Sequence, residues 1–484
     1  MIRILIEKEL KAILLSPKFA AVFAVCSILI VMSIYLGIEE YKTSMAHYET
    51  VSAQAEQQVR EETEWIGLMQ NVTRYPDPMQ IFVTGINNDI GRQARISSQG
   101  RIKLQNSNYS ENIIFAVFRS MDLMFIVQIV LSLFAILFTY DAINGERETG
   151  TLKLSFANPV PRTTYIIAKI TGSWLGLVIP LLIPMLLGVA LLLVYRIPMT
   201  PSHWQQLGLF TGISVLYFSF FICLGVLFSS IAGKSSGSFL YLLVIWVSLV
   251  LIIPRVGVML AGQLIPVPTS AEITSKMVHK YRELSDKYIA RLDELSNEQT
   301  SGMDSMYSDK TLTNEERQKR YDQIRDEYTR KSNEARNTLS REVARHDASI
   351  NEDWRNRKGV RRKLGFSISR LSPASAYQLA AMDLAGTGLS LKTDYEDQLR
   401  VYSDALNKFR EKKITESGGS GYSNPFEDKK PEPLDLSGMP QFKFINADLN
   451  KILQFTVIDI AIISFYILVI IAGTFVAFLR YDVR

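Results

Sequence analysis

Hydrophobic positions along this chain fall into long blocks separated by long polar stretches. Six blocks, 19–38, 119–141, 170–195, 206–232, 237–254 and 453–479, are apolar over span length. A bilayer core about 30 Å thick needs about 20 such residues as helix, so each predicts a transmembrane helix. In the shortest, 237–254, the stretch from Gly237 to Ile253 still covers about 25 Å at 1.5 Å per residue. Ahead of the first block, Ile2, Leu5, Ile6, Leu10, Ile13 and Leu14 recur at helical spacing. They predict an amphipathic helix over 1–18 lying in the headgroup region. Because the first block starts only after this helix and reaches span length, it reads as a span rather than a cleavable leader.

Lysine and arginine in short flanks mark the cytoplasmic side. Arg3, Lys8, Lys11 and Lys18 precede the first span, and Arg147, Lys153, Arg162 and Lys169 lie between the second and third. Lys234 sits between the fourth and fifth, and Arg480 and Arg484 follow the sixth, whereas the loop Tyr195 to Gln205 carries only Arg196. Both termini, the loop 142–169 and the tail 480–484 are therefore expected in the cytoplasm. Segments 39–118 and 255–452 are expected outside it.

Composition alone hides this layout. The chain of 484 residues is 48% hydrophobic and 21% charged, which averages to an ordinary soluble protein, yet the segregation of the two excludes a single soluble domain. A net charge of +5 over this length is no nucleic-acid footprint. Both cysteines, Cys26 and Cys223, fall inside apolar blocks, which argues against a disulfide framework. Histidines 47, 203, 279 and 346 lack a second ligand at helical spacing, so no metal site is expected. No outer segment pairs a nucleophile with a base.

The first outer segment continues the first span as a polar helix from Tyr41 to about Trp65 and then turns compactly through YPDPMQIFVTGINNDIGRQ. Asn71-Val72-Thr73 and Asn108-Tyr109-Ser110 match the glycosylation pattern by chance. In the second, Pro254, Pro266 and Pro268 predict an extended exit from the fifth span, with Thr269 or Ser270 capping a helix from Ala271 to about Asn297. A second helix is expected from Asn314 to about Asn356. Met277, Tyr281, Leu284, Tyr288, Leu292 and Leu295 share a face, as do Tyr321, Ile324, Tyr328, Ala335, Leu339 and Val343. The pattern predicts an antiparallel helical hairpin turning near Ser301-Gly302-Met303. Arg355 to Lys363 is strongly basic and is either a solvated face or a contact for anionic headgroups. A polar helix after Gly388 leads to the linkers SGGSGYSNPF and DKKPEPLDLSGMP. Within the spans, Pro180 and Pro184 imply either a tolerated kink or a hinge. Asp459 is a carboxylate near the outer end of the sixth span, structural or functional.

The stretch GERETGTLKLSFANPVPR resembles the cytoplasmic signature of ABC-2 type transporter permeases, the membrane subunits of type 2 ABC exporters. In that pattern Arg162 and then Lys169 lead into the next span. MIRILIEKELKAILLSPKF is similar to the family's elbow helix, with Lys8, Glu9 and Leu10 at its core. RYPDPMQIFVTGINN and RLSPASAYQLAAMDLAGTG resemble outer-loop signatures of a subgroup with enlarged extracytoplasmic domains, linked to multicopper-enzyme maturation and gliding motility. The resemblance implies an all-α polytopic membrane protein: six transmembrane helices, an N-terminal interfacial elbow helix and a large, mainly helical extracytoplasmic domain, multi-pass in a bacterial inner membrane.

The same resemblance implies the mechanism. Two permease chains, identical or not, pair in the lipid membrane, and each docks its coupling loop onto a cytoplasmic ABC ATPase. Glu146, Arg147 and Glu148 are the expected docking contacts, Gly150 and Thr151 permit the bend, and Leu152 and Arg162 belong to the same signature. Lys8 and Glu9 brace that surface from the elbow. ATP and magnesium belong to the partner ATPase, because Ala232-Gly233-Lys234-Ser235 lacks the upstream glycine of a phosphate loop, where Phe228 stands. The chain is not expected to be an enzyme. It exports a lipid or small molecule or, alternatively, moves its outer domain mechanically against an extracytoplasmic partner protein. A receptor role suffers from the lack of a cytoplasmic output domain.

Overall fold

The computed structural model describes residues 2–65, 69–96, 102–105, 121–157, 159–309, 311–416 and 434–480. The acceptor pattern at Asn108, the linker 417–433 and Arg484 lie outside them. Among the described residues six helices are long and apolar enough to span: Pro17–Glu61, Leu123–Glu148, Arg162–Val194, Pro201–Ile231, Ser235–Leu264 and Leu449–Leu479. The chain divides into two compact units, Met1–Pro254 with Arg370–Arg484, and Arg255–Ser369.

In the first unit, the elbow Ile2–Leu14 ends at Ser16, whose hydroxyl caps the next helix by accepting from Phe19 N at 3.1 Å, with Pro17 in the first turn. That helix runs 45 residues to Glu61, about 67 Å, so the span and the polar stretch beyond it are one rod. The fourth span lies at the centre of the bundle, with Phe210, Tyr217 and Phe221 fully buried, as expected of a helix apolar on all sides. The third span stays helical through half-buried Pro180 and buried Pro184.

The far end of the bundle holds what the sequence pattern shows least clearly. Pro78–Ile81 forms a buried 3-10 turn whose backbone packs on the first span at Gly37, where any Cβ would collide with Ile81 O. Thr84 N donates to Asp122 Oδ2 at 3.0 Å at the head of the second span. Around it, β1 (Gln70–Thr73), β2 (Gln93–Ile96) and β3 (Ile102–Gln105) form an antiparallel sheet in the order β1-β2-β3, with Val72 opposite Ala94 and Ala94 opposite Leu104. A compact turn-rich element was the expectation. Strands this short, without clear alternation, leave too little pattern to read. The sheet packs on Tyr395, Leu399 and Leu406 of the helix Leu389–Glu416. Buried Arg74 donates to Asn87 and lies 5.7 Å from the Tyr395 and Phe444 rings; burial pushes its guanidinium down to about 10, which leaves it charged at neutral pH.

RLSPASAYQLAAMDLAGTG, expected as an outer loop, instead holds a buried helix, Pro373–Leu384, wedged between the fourth and sixth spans. Its small residues Ala374, Ala376, Ala380 and Ala381 are all buried, which allows close approach. Tyr377 stacks on Tyr217 at 4.5 Å and hydrogen-bonds Ser214 at 3.1 Å. At its start Arg370 clasps Asp459 with Nε to Oδ1 at 2.6 Å and Nη2 to Oδ2 at 3.1 Å. At its end Thr387 O accepts from Ile86 N at 3.0 Å, so the two quoted outer signatures meet.

The second unit is a helical hairpin, and two expectations are corrected there. Pro254 does not start an extended exit: a π-helical turn, Val247–Ile252, precedes it and the helix continues through Ile253–Leu264. The wider turn makes room for the proline ring and its missing donor. The hairpin also does not turn at Gly302. Its helices are Ser270–Ser308, capped by Thr269, and Asn314–Ser369. Gly302 stays helical because its bare surface seats Ile324, 3.5 Å from where a Cβ would stand. The break comes where Asp309 accepts from Thr311 N at 3.0 Å and Thr313 and Glu316 cap the next helix reciprocally. Buried Ile273, Leu284, Leu295 and Met306 recur every eleven residues, the period of a nearly straight, slightly right-handed supercoil.

We predict that Leu284→Ala or Leu295→Ala weakens the hairpin by about 2–5 kcal/mol. Hydrogen exchange of the purified chain should quicken over Ser270–Ser308 and its partner helix while the spans remain protected.

Candidate functional site

The loop between the second and third spans is built from two short helices. Asn144–Glu148 ends at Thr149, and Gly150 takes φ +76°, a left-handed turn that a side chain would strain. Thr151–Ala157 follows, and its Thr151 hydroxyl donates to Glu146 O at 3.2 Å. Pro161 then starts the third span at Arg162, earlier than its apolar block, because the helix needs only the break that the prolines supply. Leu152 is buried with Ile143, Tyr165, Ile166, Val226 and Phe478, so the second loop helix has its own small core.

At the centre is a buried ion cluster. Lys169 is only 4% exposed, at the start of an apolar span where its ammonium cannot be hydrated. It reaches Glu9 Oε1 at 2.6 Å and Glu146 Oε1 at 2.9 Å. Glu146 also takes Lys8 Nζ at 2.7 Å on Oε1 and the Tyr165 hydroxyl at 2.6 Å on Oε2. Two cations and two anions from the elbow, the loop and the third span thus neutralise one another. The elbow can approach because the third span carries Gly172 there, where a Cβ would lie 2.6 Å from that of Glu9.

The other candidates occupy separate places. Glu148 caps the start of the fifth span, accepting from Ser235 N at 2.8 Å and Ser235 Oγ at 3.0 Å. Arg162 donates to Leu479 O at 2.8 Å, closing the end of the sixth span. The elbow, the loop, the turn at Ser235 and the end of the sixth span therefore share one end of the bundle. Arg147, Thr151, Lys153 and Leu154 are exposed, Leu154 to 69%. Pro180 and Pro184 lie deeper in the third span, away from this cluster.

Tyr165, Asn144 and Ser229 were not singled out from the sequence. The lone cation Lys169 inside an apolar run was the signal for a buried counter-ion. Asn144 is fully buried, and its amide bonds to none of the described residues, while Ser229 Oγ accepts from Ile143 N at 2.9 Å.

Lys169→Met alone should cost about 3–5 kcal/mol, since it leaves the buried Glu9 carboxylate without its partner, and Glu146→Gln should cost less, because Lys169 keeps Glu9 and Lys8 is half exposed. The double variant should lose less than the two single losses combined, and thermal unfolding in detergent checks both outcomes.

No curated protein sequence matches the chain significantly. The family profile described as ABC-2 family transporter protein matches residues 3–483. With its spans and its loop-end cluster already in view, the chain belongs to the ABC-2 family, as the membrane-embedded permease subunit of an ABC transporter.

Proposed function

We propose that the ion cluster is the mechanical joint through which a separate cytoplasmic ATPase drives this permease. The observation that carries the proposal is Glu146, which holds the elbow through Lys8 and the third span through Lys169 and Tyr165 at once. A push on the loop is then passed to both without slack. In this reading Glu146 and Glu148 shape the loop from within, and the exposed Arg147, Lys153 and Leu154 meet the ATPase. The loop end is cytoplasmic, two permease chains pair in the inner membrane, and ATP and magnesium stay on the ATPase. Pro180 and Pro184 are the points at which the third span bends.

The cargo reading is export of a lipid or small molecule. A specific observation favours the mechanical alternative: Asn314–Ser369 runs 56 residues, about 84 Å, far longer than a bilayer crossing requires. Such an arm suits work on an extracytoplasmic partner.

Arg147→Glu with Leu154→Asp should reduce ATPase co-purification at least about tenfold, a loss of about 1.4 kcal/mol in binding, with thermal stability unchanged. Retained association would refute the docking surface. Removing one matched eleven-residue block from each hairpin helix separates the two functions. Vesicle flux should persist for an exporter, whereas a mechanical device should keep ATP hydrolysis and lose its cellular effect.

A further inference from the structure

The hairpin's antiparallel register places a basic stretch at a defined height. Trp354 Nε1 donates to Pro268 O at 2.9 Å, and Gly365 packs on Ala261, 3.3 Å from where a Cβ would stand. The residues between, 355–363, therefore lie beside 261–268. They carry six cations, Arg355, Arg357, Lys358, Arg361, Arg362 and Lys363, and no anion. Asp353 pairs with Arg357 at 2.9 Å, and Lys358 stands 3.3 Å over the Trp354 ring. Arg355, Arg362 and Lys363 are exposed.

The span beside them sets the depth. Ser235–Leu264 has 30 residues, about 45 Å of helix, which matches the bilayer with its headgroups. Leu264 thus reaches the polar interface. Met259 and Leu264 are 66% and 65% exposed, and Val360 on the neighbouring helix is 55% exposed, an apolar surface that needs lipid. Trp354 sits where interfacial tryptophans concentrate. A cation cluster around the end of a span, with exposed apolar residues among and below it, is the arrangement that attracts anionic lipid.

We propose that the base of the hairpin, residues 355–363, binds anionic phospholipid headgroups of the leaflet in which the fifth span ends. The lipid clamps the root of the arm: its phosphates meet the arginines while its chains cover Met259, Leu264 and Val360. This inference does not depend on the ATPase joint.

The test uses the full chain in nanodiscs with a fluorophore on Asn356→Cys, since Cys26 and Cys223 are buried. Quenching is titrated with phosphatidylglycerol or phosphatidylcholine, each bearing a nitroxide near the headgroup. The anionic lipid should quench with an apparent affinity at least about tenfold higher. That preference should collapse at about 0.5 M salt, as screening shortens the reach of each charge. It should also collapse in R355Q/R361Q/R362Q/K363Q and persist in R355K/R361K/R362K. Equal quenching by the two lipids, as a solvated or protein-binding face would give, overturns the proposal, as does no quenching by either. A preference surviving both salt and the quadruple substitution places the lipid elsewhere and also overturns it. The salt titration on the native charges decides the matter even where the quadruple variant does not fold.

Discussion

Lys169 constrains the loop end of the molecule more than any other residue. An ammonium at the start of an apolar helix, almost wholly out of water, is tolerable only beside carboxylates. Glu9 and Glu146 come from two other parts of the chain to supply them, and Lys8 balances the second carboxylate. Because Lys169 and Glu9 cannot part without stranding a buried charge, and Glu146 ties Lys169 to Lys8, the elbow, the loop and the third span hold one relative geometry. Gly172 follows from this, since a side chain there would push Glu9 away. So does the course of the loop: with Glu146 turned inward, Gly150 must reverse the backbone before Leu152 can reach its own apolar pocket.

The spans were legible because a bilayer demands long apolar runs and nothing else in the chain imitates them. The elbow and the signature loop were legible by resemblance, but the direction of their carboxylates was not. Glu146 and Glu148 read as surface charges in a polar loop, and only their partners, Lys169 inside the third span and Ser235 across the fourth–fifth turn, reveal that both are committed within the chain. The hairpin was visible in its periodicity and misplaced at its turn, because a glycine counts as a breaker in sequence and as a close-packing site in a two-helix seam. The wedge Pro373–Leu384 is too short to register as a span, yet apart from Gln378 and Asp383 its side chains are apolar or small, and all but those two and Leu379 are buried.

The sixth span joins the two ends of the bundle. It is 31 residues long, about 46 Å, and a helix of that kind bends more readily than it shortens. At one end its last carbonyl, Leu479 O, is held by Arg162, which begins the third span next to the ion cluster. Towards the other, Asp459 is held by Arg370, which begins the wedge. The same chain segment is thus gripped by an arginine at each end, one that begins the third span and one that leads into the wedge. Asp459 is wholly buried, so separating it from Arg370 would strand a charge in an apolar setting and the pair moves as a unit. An unbroken chain of contacts therefore runs from the third span's start along the sixth span to Arg370, and from there through the wedge to Tyr377, which stacks on the fourth span, and to Thr387 at its end. Contact alone does not make an energetic pathway. Here the links are of unequal strength: Arg370 and Asp459 form a buried ion pair and the sixth span is a stiff helix, whereas Arg162 holds Leu479 O by one exposed hydrogen bond and Tyr377 meets Tyr217 by ring stacking, so the firmest grip on the sixth span is the one at Asp459.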